Sequence, residues 1–371
     1  MGPRYVVGCR SHENREIVRS NRKVLCTAAI GALLLASAAL VVCQSVVAES
    51  VARSYPDSTP LARMIEIQRR LYNDEFRTAD SVASLMITEH PQDPAGHLFR
   101  AIVRLTVMFD EEEESGSDRF HHSLDSAHLA ATKVRDTSTS NKTQAWMSLF
   151  LGHVEAYRAL WETRFGSRFS ALQSGRDAKR EYQRGLAYDS SLYDLYFGLG
   201  LFNYYKSAKA GILRWIGLIH NDTEKGIRQL YLAAESSAVS KEAARSALIW
   251  IYSDKEAYDS VIVLSRRMLQ QYPDGKTFLW PLAQACYEKK DYDGAASAYT
   301  TLRNRVSVRP GNYFNLIECD YYLYRCYQAL EKNDLAHGAA QRLQTYEAQI
   351  PQETRRRQRS KIAYLKRMWP Q

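Results

Sequence analysis

The fold is decided by residues 248–299, which read LIWIYSDKEAYDSVIVLSRRMLQQYPDGKTFLWPLAQACYEKKDYDGAASAY. This stretch contains one pattern twice, because three pairs of apolar or aromatic positions lie thirty-four residues apart: Leu248/Leu282, Tyr258/Tyr292 and Val261/Ala295. A repeat of that length is typical of stacked helical hairpins, none of which buries its apolar face alone. The period therefore predicts an all-α fold built from repeated pairs of helices.

The composition of the 371-residue chain agrees with this prediction. Hydrophobic residues make up 45% and charged residues 25%, as in globular proteins, so collagen-like and low-complexity chains are excluded. Eighteen glycines and ten prolines are few for this length, which favours helices over a turn-dense β architecture. Only one long uncharged run occurs, so a multi-span membrane protein is excluded as well.

Residues 288–299, EKKDYDGAASAY, resemble the turn and second helix of a tetratricopeptide repeat. Looser copies cover residues 76–91 and 178–200, and a final copy at residues 321–346 is about two residues out of step. The resemblance implies a right-handed superhelical solenoid of five to seven tetratricopeptide-like hairpins within residues 49–350.

The same resemblance explains several residue types. Small residues are expected where helices cross closely: Ala178, Gly200, Ala283 and Ala295. Pro91 and Pro273 are expected to close second helices, because a proline cannot continue a helix. Most of the 24 tyrosines fall on packing positions such as Tyr258 and Tyr292, so they need no cofactor to explain them.

The formal net charge of +9 is concentrated at the two ends of the chain. Residues 1–48 contain six basic and two acidic residues, and residues 353–371 contain seven basic and one acidic residue. The remainder is nearly neutral, so the basic balance does not indicate a nucleic-acid partner.

Residues 24–48 are uncharged and follow a basic region, residues 1–23. The small residues before Glu49 complete the pattern of a secretory signal. Twenty-five uncharged residues are also enough for an uncleaved membrane anchor, and lipidation of Cys43 is a third alternative. By all three routes residues 49–371 are expected outside the cytoplasm, periplasmic or held at the membrane.

Two further segments depart from the repeat pattern. Residues 211–219 carry apolar side chains at helical spacing and are expected in the fold's own core, with a membrane-dipping or partner-binding surface as alternatives. Residues 351–371 are basic and partly amphipathic, and we expect them to form a capping helix, since repeat arrays need a polar terminal unit. Binding of this tail to anionic lipid is the alternative.

By resemblance, the concave inner face of the solenoid carries the function. Certain first-helix positions line that face in the family, and in this sequence they are Phe197, Leu201, Tyr204, Trp250, Trp280, Gln284, Tyr287, Tyr321 and Arg325. Aromatic side chains supply contact area at low entropic cost, so the expected ligand is an extended peptide or an apolar helix of a protein partner. Alternatively, several of these side chains pack against a neighbouring helix or loop. The basic pattern with which some family members bind a C-terminal carboxylate is not apparent.

No metal or cofactor is predicted. The acidic run at residues 110–114 is expected to be a solvated loop, and the adjacent His121 and His122 would point to different sides of a helix. Three cysteines outside the targeting region lack metal-ligand spacing and are expected to be buried and inert: Cys286, Cys319 and Cys326.

Catalytic sequence patterns are missing, since the chain has no Gly-x-Ser-x-Gly, no phosphate-binding Gly-rich loop and no His-Glu-x-x-His. We therefore expect a non-enzymatic scaffold of the cell envelope that binds a protein partner in an aromatic groove. Two alternatives remain open: a cell-envelope hydrolase with carboxylates dispersed in sequence, and a membrane-surface protein acting through the basic tail.

Overall fold

The structure, a computed structural model, describes residues 58–208 and 221–368. All regular secondary structure in these two ranges is helical, as the thirty-four-residue period predicts. The α-helices are α1 (Ser58–Tyr72), α2 (Phe76–Glu89), α3 (Pro94–Glu111), α4 (Ser117–Thr137), α5 (Asn141–Arg164), α6 (Arg168–Tyr188), α7 (Asp194–Ala208), α8 (Thr223–Ser236), α9 (Lys241–Asp254), α10 (Tyr258–Gln271), α11 (Lys276–Glu288), α12 (Tyr292–Ser307), α13 (Tyr313–Ala329), α14 (Asn333–Gln341), α15 (Gln352–Arg357) and α16 (Arg359–Met368). Short 3-10 helices at Arg342–Thr345 and Glu347–Gln349 join α14 to α15.

Consecutive helices pair into seven hairpins in the described part of the chain, from hairpin 1 (α1 and α2) to hairpin 7 (α13 and α14). Each hairpin packs on the next, and the first helices also contact one another, from α1 through α3, α5, α7 and α9 to α11. The arrangement is a helical array in which first helices form one continuous layer. After hairpin 7, α16 packs against both α13 and α14. The predicted segments at residues 1–23, 24–48 and 211–219 lie outside the described residues.

The turns inside the hairpins show the repeat directly. Four of them place a residue in the left-handed region two positions before the second helix: Asp74, Glu256, Lys290 and Glu331. In each turn the next backbone N–H donates to the carbonyl five residues earlier, as in the bonds from Glu75 to Arg70 (2.8 Å) and from Asp291 to Cys286 (2.9 Å). Glu256 and Lys290 are thirty-four residues apart, which matches the sequence period.

Small residues permit close packing of neighbouring helices, as expected from the sequence. A Cβ added to Gly200 on α7 would lie 2.9 Å from the carbonyl oxygen of Gly226 on α8, and one added to Gly226 would lie 2.7 Å from the carbonyl oxygen of Gly200. The two backbones are therefore in contact at this crossing. Ala283 and Ala295 are likewise fully buried between α11 and α12.

Beyond these neighbour contacts, the two ends of the array contact each other along a closing seam. We define the closing seam by contacts of α1, the α1–α2 turn and the end of α3 with the α10–α11 connection, α11, α13 and α15. Its apolar part is a group of three rings: Tyr72 lies 5.0 Å from Tyr272 and 5.2 Å from Phe278 between ring centroids. At Gly275 the backbones are so close that a Cβ would overlap the carbonyl oxygen of Tyr72. The array therefore curves back on itself.

A buried lysine forms the polar centre of the closing seam. The Lys276 ammonium lies 2.9 Å from a carboxylate oxygen of Asp110 and 3.6 Å from Asp74. The amides of Asn312 and Asn315 both donate to the backbone carbonyl of Asp110, at 2.7 and 2.8 Å. These bonds join residues 166 to 205 positions apart, so they fix hairpins 1 and 2 against hairpins 6 and 7.

Burial and charge pairing shift the pKa values of Asp74 and Lys276 in the closing seam. Burial raises the pKa of Asp74 to about 7, even though Lys276 acts in the opposite direction. Burial alone would lower the pKa of Lys276, but Asp110 and Asp74 outweigh that effect and the pKa is raised. Near neutral pH, Lys276 is therefore charged and has Asp110 as its main partner.

The acidic run at residues 110–114 is a solvated loop, as predicted, only at its end, where Glu113 and Glu114 are exposed and follow the helix. Helix α3 continues to Glu111, and Glu112 is the buried C-cap residue. The Glu112 carboxylate pairs with Arg164 at the end of α5 and with Arg357 at the end of α15. Arg357 lies 245 residues away from Glu112, which is why the local sequence gave no sign of this burial.

Candidate partner-binding face

The nine residues predicted to line the inner face divide into a buried and a partly exposed group. Hairpins 4 and 5 contribute four buried residues, and hairpins 6 and 7 contribute two more: Phe197, Leu201, Tyr204, Trp250, Gln284 and Tyr321. Three remain partly exposed, all on hairpins 6 and 7: Trp280, Tyr287 and Arg325. An incoming protein therefore meets this set of side chains only at the C-terminal part of the array.

In hairpins 4 and 5 the predicted residues belong to the core of this chain. Phe197 is fully buried and Trp250 is 5% exposed, and both lie in the hydrophobic cluster that extends from α1 to α11. Tyr204 is 2% exposed, and its hydroxyl donates to Asp254 of the next hairpin at 3.0 Å. In hairpins 4 and 5 these side chains therefore pack against neighbouring helices, which was the alternative to an open groove.

Along α11, the side chains of Trp280, Gln284 and Tyr287 follow one face. The Trp280 ring lies 6.3 Å from Tyr299, whose hydroxyl donates to Gln284 at 3.1 Å. Tyr287 lies 5.0 Å from Tyr322 in an edge-to-face arrangement. These contacts hold the partly exposed Trp280 and Tyr287 in fixed orientations, because Tyr299 and Tyr322 beneath them are buried.

Arg325 is the cationic member of the face, and tyrosines surround it. Its guanidinium donates to the Tyr321 hydroxyl at 2.9 Å and lies 5.8 Å and 5.9 Å from the ring centroids of Tyr321 and Tyr364. Burial alone would lower the pKa of Arg325, but the neighbouring hydroxyls of Tyr287, Tyr321 and Tyr364 outweigh it and raise the pKa. We call Tyr287, Tyr321, Arg325 and Tyr364 the tyrosine–arginine cluster.

Sequence reasoning missed Tyr364, because it lies in the C-terminal segment rather than in a repeat. The helix that carries it, α16, is positioned by Lys361, which pairs with the carboxylate of Glu318 on α13. Gln358 donates to the same carboxylate at 2.8 Å. The sequence of this segment indicates an amphipathic helix, but it does not indicate a contact between Tyr364 and Arg325.

The position of α13 itself is fixed by a buried carboxylate next to the cluster. Asp320 is fully buried and accepts from Arg303 and Arg342, each at 2.7 Å, and from the Tyr346 hydroxyl at 2.8 Å. Two cations and a hydroxyl compensate the charge, so α13 is held against α12, α14 and the 3-10 segment. Tyr321 follows Asp320 in sequence, so its side chain leaves α13 about 100° around the helix axis from the buried carboxylate.

Two residues of the acidic and histidine segment, His121 and Glu111, have partners other than a metal. His121 stacks edge-on against Trp161 at 4.6 Å, and Glu111 pairs with Arg309 at 2.6 Å. No group of three His, Cys, Asp or Glu side chains suited to a metal ion occurs in residues 58–208 and 221–368.

The three cysteines in the described ranges are free and buried. Burial raises the pKa of Cys286 to about 11 and that of Cys326 to about 12, and it raises the pKa of Cys319 as well. Because the thiolate is the reactive form, these thiols have little nucleophilic character at neutral pH.

Comparison with protein-family models and with curated proteins gave no match. Of the helices in the two described ranges, none combines the length and apolar character that crossing a membrane requires.

Proposed function

We propose that this chain is a non-enzymatic scaffold of tetratricopeptide type, a right-handed superhelical solenoid that binds a protein partner on the exposed part of its inner face. The observation that supports the proposal is the difference in exposure between the two parts of that face. Trp280, Tyr287 and Arg325 are held partly exposed by buried neighbours, whereas the matching positions of hairpins 4 and 5 are filled by the chain itself. Oriented aromatic and arginine side chains are typical of residues that dominate protein interfaces.

The proposed place of action is the cell envelope, with residues 49–371 outside the cytoplasm and residues 24–48 as signal or anchor. This part of the proposal rests on the sequence pattern alone.

The contacts of the basic tail favour a cap over a lipid-binding element. Five of its basic residues have carboxylate partners: Arg355, Arg356, Arg357, Lys361 and Lys366. Ile362 and Leu365 of α16 are buried against hairpin 7. A membrane-surface function through this tail would have to compete with those internal contacts.

The test is a crosslinked pull-down with the full chain from membrane and soluble extracts of its source. The variant Trp280→Ala/Tyr287→Ala should lose a partner that the unaltered chain captures, with an unchanged circular dichroism spectrum. Val263→Ala/Val308→Ala is the matched control, because both valines are exposed, at 66% and 78%, and lie off the predicted face. Capture of the same set of proteins by all three chains would contradict the proposal.

A further inference from the structure

Arg325 differs from four other partly buried arginines in what surrounds its charge. Arg303 and Arg342 pair with Asp320, and Arg164 and Arg357 pair with Glu112. No carboxylate in the described ranges lies within 4.0 Å of Arg325, whose one hydrogen bond to a side chain goes to the Tyr321 hydroxyl. A guanidinium has five N–H donors in a planar fork, so most of its hydrogen-bonding capacity is unused.

The groups around Arg325 restrict the orientation of its guanidinium. Rings of Tyr321 and Tyr364 flank the guanidinium, and the Tyr321 hydroxyl fixes one of its nitrogens. Part of the side-chain entropy has therefore been lost before a ligand arrives. A carboxylate is the ligand group that such a fork binds best, through two parallel hydrogen bonds.

Aromatic rings lie on both sides of Arg325, and this favours a carboxylate within a chain over one at its end. Tyr287 and Trp280 belong to α11 on one side, and Tyr364 belongs to α16 on the other. Tyr364 is in contact with α13 through Tyr321, at 5.3 Å, and Tyr287 reaches α13 through Tyr322, at 5.0 Å. A bound segment that places its carboxylate on Arg325 continues over aromatic surface in both directions.

We propose that the partner's bound segment is extended and presents an Asp or Glu side chain to Arg325, with apolar residues on either side packed against Trp280, Tyr287 and Tyr364. This inference rests on the proposed function and names the chemistry of the partner. The charge of the partner's acidic residue is neutralised by a guanidinium that has no carboxylate within 4.0 Å in the described ranges. The flanking residues bury the exposed edges of the rings.

The experiment selects 12-residue peptides from a random displayed library on the immobilised full chain. Selected sequences should share an Asp or Glu flanked by apolar residues. Synthetic copies with amidated C-termini should bind the unaltered chain about 10- to 100-fold more tightly than copies with Asn or Gln at the acidic position, as expected for a charge-assisted hydrogen-bonded pair.

Two variants separate recognition by Arg325 from loss of folding. Arg325→Met should lose that preference and bind the acidic and amide peptides equally. Arg104→Met is the control, since Arg104 is also partly buried without a carboxylate partner but contacts Arg119 and Ser123 in hairpin 2. It should retain the full preference for the acidic peptide.

The possible results distinguish this inference from the function on which it rests. Peptides that bind through Trp280 and Tyr287 without an acidic position, and equally to Arg325→Met, would overturn the inference and leave the scaffold function standing. Binding that requires a free C-terminal carboxylate would overturn the assignment to an internal side chain. If no peptide binds at this face by any of these measurements, the proposed function falls together with the inference.

Discussion

Hairpins 4 and 5 and hairpins 6 and 7 present the same repeat positions in different environments. Trp250 on α9 is buried within the cluster that begins at α1, whereas Trp280 on α11 is partly exposed beside Tyr299. In hairpins 4 and 5 these side chains pack within the cluster that extends from α1 to α11, and Tyr204 also bonds to Asp254 of the next hairpin. A repeat register specifies which side chains face inward, but packing against neighbouring helices decides which of them remain accessible.

The largest expected effect comes from truncating the buried tryptophan. Trp250→Ala should lower the free energy of unfolding by about 3–5 kcal/mol, because a large side chain leaves a cavity in the core. Trp280→Ala should cost about 1–2 kcal/mol, because part of that ring already contacts solvent. Urea denaturation of both variants measures the difference.

Trp250→Phe is the control variant, because it keeps an aromatic ring at this position. The Nε1 of Trp250 has no hydrogen-bond partner among the described residues, so its removal leaves no partner unsatisfied. The variant should cost less than about 1.5 kcal/mol. Equal costs for Trp250→Ala and Trp280→Ala would break the comparison between the two regions.

The closing seam is tested by adding one methyl group. Gly275→Ala should lower the free energy of unfolding by about 1–3 kcal/mol, because the new Cβ would overlap the Tyr72 carbonyl oxygen and lie 2.9 Å from the Phe278 ring. Gly338→Ala on α14 is the control, since a Cβ there meets nothing within 4 Å, and it should stabilise the helix by up to about 1 kcal/mol. Unchanged stability of Gly275→Ala would show that the two ends do not meet.

The closing seam should also make stability depend on pH. The pKa of Asp74 is about 7 in the folded chain and 3.8 as an isolated group, so between those pH values the folded state holds a proton that the unfolded state has lost. This contribution makes the free energy of unfolding fall as pH rises from 4 to 7, by at most about 1.4 kcal/mol per pH unit, and then stay constant.

Asp74→Asn isolates that contribution, because asparagine tolerates the positive φ of 60° at this turn and does not titrate. The difference in unfolding free energy between the variant and the unaltered chain should therefore vary between pH 4 and 7 and level off above pH 7. A difference that is constant across this range would mean that Asp74 is not buried against Lys276.

The smallest expected change in stability is that of Arg325→Met. With no carboxylate partner in the described ranges, Arg325 leaves no buried charge behind when it is replaced. Its loss should change the free energy of unfolding by less than about 1 kcal/mol. Arg303→Met should cost about 3 kcal/mol or more, because it removes a partner of the fully buried Asp320. Thermal melts of the two variants compare these costs.

Structural features that depend on residues close in sequence could be predicted from the sequence. Helical hairpins, their turns and the small residues at crossings were predictable, because a thirty-four-residue period and residues such as Gly200 act on their immediate neighbours. Burial of Cys286, Cys319 and Cys326 was also anticipated, because the three cysteines lack metal-ligand spacing.

Contacts between distant segments were not predictable. Asp110 and Glu112 read as part of a solvated acidic run, but Lys276 and Arg357 reach them from far along the chain. The repeat positions at Phe197 and Tyr204 were assigned to an open groove, because the register alone does not show which of them a neighbouring helix covers. Tyr364 was left out of the cluster around Arg325, because it lies outside the repeats. Charge pairing across the closing seam has no counterpart in local spacing.

The most direct measurement is hydroxyl-radical footprinting of the inner-face side chains, read out by mass spectrometry on the full chain. Oxidation should be fast at Trp280 and Tyr287 and slow at Tyr204 and Trp250, because only the former contact solvent. Similar oxidation rates at Trp250 and Trp280 would contradict the division of the inner face between a region filled by the chain itself and a region left for a partner.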